Sequence, residues 1–478
     1  MLPPRMFNTL PGSACPAGGK DMQEEEASQR ILEGERSQAV RRKLIARTPK
    51  SAAVRSRGRQ ALSQEIVATV KMPHPIYVES ADGGTLTDVD GNTYIDMTMG
   101  FGPCVLGHRP PAVTAALEAQ LEKGWHFGIP NAQQAELGQL VEEASPCADK
   151  VVFCNTGTEA TMYAMRAARA FTGKTKIASF AGSYHGAHDY ALIHVNPNSP
   201  RSKPLGMSVG KGIPDVVRDE TMMVLPYRND AAYELIREHR DELAAVIVEP
   251  SQNSNPRLDS GDFLRGLQDA CRENDVLLCF DEVVTGFRIA YGGCQEYYGI
   301  TPDLATYGKA IAAGLPIGAV AGRRDVMNCF SGKDGAPWVF SGGTFGGNPL
   351  SMTAGIAAMR EMRDTKDTLY PYLAEQGDRL ASEVNAFCAE HDFGAQLMNA
   401  GSMVHLRFQD TPINDSFDFT EDGKWAEKEF YLHLLGYDVI VPGVHLAFLS
   451  GAHTVDDVDR IIEGFERSFL DLRADGLY

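Results

Sequence analysis

From about residue 110 onward, short apolar runs alternate with longer segments of helical pattern. The runs are KVVFC (150–154), KIASF (176–180), MMVLP (222–226), AAVIVEP (244–250) and VLLCFDEVV (276–284). Between them lie helix-like stretches such as EATMYAMRAARAFTG (159–173) and AAYELIREHRDEL (231–243). Continuous apolar strands separated by helices predict an α/β fold with a mainly parallel sheet covered on both faces. Ligands in such sheets bind beyond the C-terminal ends of the strands. Upstream, PIYVES and TLTDVDGNTYIDM alternate in strand fashion, with a hairpin signal at Asp90-Gly91-Asn92. From about 350 the chain reads helical, then mixed, and ends in the helix TVDDVDRIIEGFERSFLDL. Residues 1–30 read as a loose lead-in. The basic stretch RRKLIARTPKSAAVRSRGR reads as a solvated segment on a neighbouring surface rather than an anion-binding arm.

Composition narrows the classes. The 478 residues are 43% hydrophobic and 23% charged, which excludes a largely disordered chain. The net charge of −18 argues against nucleic acid or an anionic membrane as the main partner. No apolar run approaches the roughly 20 residues of a membrane span. The first residues lack the apolar core of a signal peptide. Nine scattered cysteines without a CxxC pair suggest reduced thiols in a cytoplasmic protein, with no metal site.

The chemistry is expected just after the apolar runs. NTGTEA (155–160) opens a helix with small and hydroxyl residues, which makes either an anion cradle or an ordinary cap. GSYHGAHD (182–189) sets Tyr184 and His185 on a glycine-rich loop, suited to stacking on a planar ligand or to a plain polar turn. Asp281 emerges from an apolar strand and needs a cationic partner, either a protonated ring nitrogen or a buried arginine. Lys309 sits among small residues, and a sheltered lysine can lose its proton and bond to a carbonyl cofactor. The loop FSGGTFGGNP (340–349) precedes a helix and offers a second approach to a phosphate. Together these are the parts needed to hold pyridoxal phosphate.

The stretches DVDGNTYID (88–96), CNTGTEATMYAMRAARAFTGKTKI (154–177), GSYHGAHD, the run 280–319 and SGGTFGGNPLSMTAG (341–355) resemble the class III aminotransferases of fold type I. Within that family the chain is most similar to glutamate-1-semialdehyde 2,1-aminomutases and β-amino-acid aminotransferases. The resemblance implies a large domain at 111–350 around a seven-stranded, mainly parallel sheet that binds the cofactor. A smaller α+β domain would form from 61–110 and 351–478, with 1–60 as an arm. It implies a homodimer with shared active sites, acting on an amine or amino acid and a keto acid or aldehyde. By resemblance, Lys309 bonds the cofactor and shuttles the proton, and Asp281 pairs with the ring nitrogen. Tyr184 stacks on the ring, with His185 beside it, and Val283 lies against it. Gly157 and Thr158 hold the phosphate, and Thr344 reaches it from the neighbouring subunit. Phe101, Trp125, His126, Glu249 and His445 are candidates for facing the substrate. The departures concern substrate alone. The segment 443–450 is about five residues shorter than in the aminomutases, and Ile66 and Val444 stand near positions where β-phenylalanine aminotransferases place arginines. An aminotransferase is therefore the first expectation, and an intramolecular aminomutase the second.

Overall fold

A computed structural model describes residues 34–63, 74–332, 337–420, 424–441 and 446–478. The hairpin expected near residue 90 is present. Strands β1 (Val78–Asp82), β2 (Thr85–Asp88) and β3 (Thr93–Asp96) run antiparallel in turn. The Asp88 carboxylate closes the β2–β3 turn by accepting from the amides of Asp90 (3.0 Å) and Asn92 (2.8 Å). An aspartate that satisfies turn amides in this way fixes the register of the hairpin.

The central sheet has seven strands. They are β4 (Lys150–Cys154) and β5 (Lys176–Phe180), then, beyond the small hairpin of β6 (Ile193–Val195) and β7 (Gly206–Ser208), β8 (Met222–Leu225), β9 (Leu243–Val248), β10 (Leu277–Asp281), β11 (Leu304–Gly308) and β12 (Gly318–Gly322). Their order is β4-β12-β11-β10-β9-β5-β8. All are mutually parallel except β12, which runs antiparallel to both of its neighbours. Alternation along β9 shows why both faces are covered. Ala245 and Ile247 pack with Ala164 and Ala168 of the helix Gly157–Thr172, whereas Val246 and Val248 pack with Leu264 and Leu267 of the helix Gly261–Glu273. Each fully buried Ile or Leu side chain contributes about 1.5–3 kcal/mol to this sandwich.

All seven strands come from residues 150–322. Of the other sheets, the four-stranded one draws on both ends of the chain and the three-stranded one on its C-terminal part. β13 (Gln396–Ala400) and β14 (Met403–Arg407) form an antiparallel pair extended by β16 (Ala447–Phe448). β15 (Val439–Ile440) joins β3 in parallel. The basic N-terminal stretch forms two helices, Glu35–Arg47 and Pro49–Gly58, divided where Pro49 lacks an amide hydrogen. Three of their cations meet partners within the chain. Arg41 pairs with Glu429 (2.6 Å), Arg47 with Asp438 (2.6 Å), and Lys43 donates to the Gly436 carbonyl (2.6 Å). Among the described residues, no helix is long and apolar enough to cross a membrane.

Candidate active site

The ends of β4, β9, β10 and β11 and the loop after β5 converge on a cavity of about 360 Å³. Its lining includes Gly157, Thr158, Tyr184, His185, Glu249, Asp281, Val283 and Lys309. At the end of β4, Thr156 caps the helix Gly157–Thr172 by accepting from the Glu159 amide (3.1 Å). The amides of Gly157 and Thr158 lie in the first helical turn, where no intrahelical acceptor exists, so this end of the cavity suits an anion. The glycine at 157 is required by packing. A Cβ there would stand 2.7 Å from Val283 Cγ1.

At the end of β10, Asp281 is 5% exposed and held on three sides. Its Oδ1 accepts from Thr306 Oγ1 (2.9 Å) and the Val283 amide (3.1 Å), and its Oδ2 meets His185 Nδ1 (2.6 Å). Burial pushes the His185 imidazole down, but the Asp281 carboxylate outweighs it, so the ring holds its proton more tightly than usual. His185 Nε2 is buried without a hydrogen-bond partner. Glu249, just after β9, accepts from the amides of Tyr184 (2.9 Å) and Asn253 (3.4 Å). Burial pushes its carboxyl up to about 7.

Lys309 follows β11 directly and has φ +46, the left-handed region that a lysine seldom adopts. Backbone strain of this kind persists only where the surroundings over-determine it. Burial pushes its amine down to about 8, against the opposing pull of Asp281 and Glu249. The cavity thus joins an amine that sheds its proton readily, a fixed carboxylate, a half-exposed tyrosine ring and an anion-binding helix end. That donor set fits pyridoxal phosphate, which carries a reactive carbonyl carbon, a basic ring nitrogen, a flat ring and a phosphate.

Other expected residues lie elsewhere. Phe101 is not part of the lining, although Pro103 of the same loop is. Trp125 is 62% exposed, and His126 packs against Phe345 with ring centroids 5.4 Å apart. Neither lines the cavity of its own chain. Thr344 is exposed and also lies off this lining. His445, Val444 and Ile66 fall outside the described residues. Sequence reasoning did not single out Thr306, Ser251 or Asn253, which the structure places beside Asp281 or in the cavity wall. For Thr306 the one available signal was a threonine hydroxyl three residues before Lys309.

The sequence pattern of the class-III aminotransferases matches residues 66–445. The chain belongs to the class-III aminotransferase family. Pyridoxal phosphate is accordingly the cofactor of this enzyme, as it is in related structures. The chain is 40% identical over 408 residues to the glutamate-1-semialdehyde 2,1-aminomutase of Methanocaldococcus jannaschii, covering 83% of this chain and 92% of that protein. Among solved structures, it resembles an omega-transaminase from Sphaerobacter thermophilus (TM-score 0.84, 32% identity, 90% of this chain and 99% of that one). It also resembles a β-phenylalanine aminotransferase from Variovorax paradoxus (TM-score 0.82, 27% identity, 94% and 98%). These agree with the fold type I architecture and with the seven-stranded sheet described above.

Proposed function

We propose that the chain is an aminotransferase that moves an amino group from an amine or amino acid to a keto acid or aldehyde. The observation that carries this reading is Lys309, an amine held near 8 by burial in one cavity with Asp281. When bound, pyridoxal phosphate supplies a conjugated electron sink for the carbon that loses its proton. Lys309 Nζ would bond the cofactor with loss of water and be released when the substrate amine takes its place; the freed amine would then take the proton from the substrate carbon and return it one position along. An amine near 8 is matched to giving and taking protons around neutrality. Asp281, fixed by Thr306, Val283 and His185, would hold a proton on the ring nitrogen and so maintain the sink. The first-turn amides of Gly157 and Thr158 would bind the phosphate. Tyr184 would cover one face of the ring, and Val283 would lie against it. Thr344, exposed on its own chain, would reach the phosphate of a second copy, which makes the working unit a homodimer. Glu249 would fix the Tyr184 loop through its amide bond. We also propose that the strands of 150–322 and those drawn from both chain ends belong to two domains. The eight cysteines among the described residues are all free, which suits a reducing, cytoplasmic setting.

The test is a visible absorbance spectrum of the holoenzyme during titration with amines and amino acids. Bleaching by one donor, with recovery on adding a keto acid, is expected. A spectrum unmoved by every donor in a broad panel contradicts the proposal. A second reading, an intramolecular aminomutase, is favoured by the 40% identity to the archaeal aminomutase. It requires turnover without any added acceptor, and strict dependence on a keto acid defeats it.

A further inference from the structure

Among the described residues, Arg288 is the largest side chain that the fold buries completely, at 1% exposure. It lies in the loop after β10 and follows Phe287, whose φ is +59. A buried guanidinium is ordinarily matched by a carboxylate, because an unpaired charge costs several kcal/mol to bury. Here the bonds run to neutral acceptors. Nη1 donates to Ser402 Oγ (2.9 Å) and to the Leu449 carbonyl (3.1 Å), and Nη2 donates to the Gly102 carbonyl. Nε has no hydrogen-bond partner, and the guanidinium carbon lies 4.9 Å from the centre of the Phe448 ring.

These acceptors come from three separate segments. Gly102 belongs to the loop that puts Pro103 on the cavity wall. Ser402 is in the β13–β14 turn, and Leu449 follows β16. A small apolar cluster of Met99, Cys104, Val284, Met403 and Phe448 fills the space around them, and Val284 also lines the cavity. The approach is tight, since a Cβ on Gly102 would stand 2.9 Å from Phe448 Cζ. A planar fork with several donors can hold three carbonyl and hydroxyl groups at once, which a lysine ammonium does less well.

We propose that Arg288 is a positioning residue for amino transfer: its guanidinium fixes the Pro103 wall of the cavity by holding Gly102, Ser402 and Leu449 together. The proposal rests on Lys309 being the reactive amine. A Lys309→Ala chain that keeps full turnover would remove that basis and is read separately.

The test compares wild-type holoenzyme with Arg288→Met and Arg288→Lys, each checked for fold by circular dichroism. The readout is the split between KM and kcat for the amino donor. Arg288→Met and Arg288→Lys are both expected to raise KM by roughly tenfold, with kcat less affected in Arg288→Lys. An unmoved KM in either variant overturns the proposal. Should Arg288→Met fail to fold, Ser402→Ala takes its place. It is expected to raise KM severalfold, and an unchanged KM there overturns the proposal.

Discussion

Replacing Gly157 with alanine tests how tightly the phosphate end of the cavity is built. The added Cβ would stand 2.7 Å from Val283 Cγ1 and 3.1 Å from Cγ2. Two carbons in contact prefer ~3.5–4.0 Å, so the intrusion approaches an ångström. Overpacking of that size costs about 1–3 kcal/mol. Alanine repays about 0.5–1 kcal/mol of that as a better helix former than glycine. The central values, about 2 less about 0.75, leave a net loss of about 1 kcal/mol, a factor of about 5 in an equilibrium constant. Because Val283 lines the cavity, its displacement would intrude on the space the cofactor fills, and the loss should appear in cofactor retention as well as in stability. The assay is cofactor affinity by fluorescence titration, with thermal unfolding of the same samples. Val283→Ala removes both clashing methyls, so the double variant should bind the cofactor more tightly than Gly157→Ala alone, a non-additive recovery expected of residues in contact. If Gly157→Ala binds and melts like wild type, or if Val283→Ala brings no recovery, the account of this contact is wrong.

Two further outcomes follow from the electrostatics. Glu249 has its carboxyl raised to about 7 in the fold, against an ordinary 4.5. Its contribution to stability is fully present below about 4.5 and is lost as pH rises through about 7. Glu249→Gln should therefore stabilise the protein at pH 8 by roughly 2–3 kcal/mol and by much less at pH 5; thermal unfolding at the two values checks the difference. Thr306→Val keeps the shape of the side chain but removes a donor to the Asp281 carboxylate, worth about 1.5–3 kcal/mol. Cofactor dissociation should speed up by roughly tenfold or more, and an unchanged rate means that the hydroxyl does not support Asp281.

The parts of the fold visible in the sequence were those with strong periodic signals. KVVFC and KIASF coincide with β4 and β5 because short, mostly apolar runs suit strands of a covered sheet; β5 is buried at four of its five positions, and β4, at the sheet's edge, is half-buried. β11 (LATYG) and β12 (GAVAG) carried little such signal, since glycine and alanine leave no periodic mark. Nor does local sequence state direction, so the antiparallel β12 became clear only from its pairing. Asp281 and Lys309 were legible because a lone charge at the end of an apolar run needs a reason. The roles of Thr306 and Arg288 were not, because each is defined by partners far along the chain, such as Leu449 for Arg288. His185 was read as a companion to the stacking tyrosine; the structure places it against Asp281.

The most direct test of the central claim is to treat the holoenzyme with borohydride, which locks pyridoxal phosphate to whichever lysine it is bonded to, and to map the modified peptide by mass spectrometry. The account predicts one pyridoxyl adduct per chain, on Lys309. An adduct on any other lysine, or none on a chain that has bound the cofactor, would contradict it.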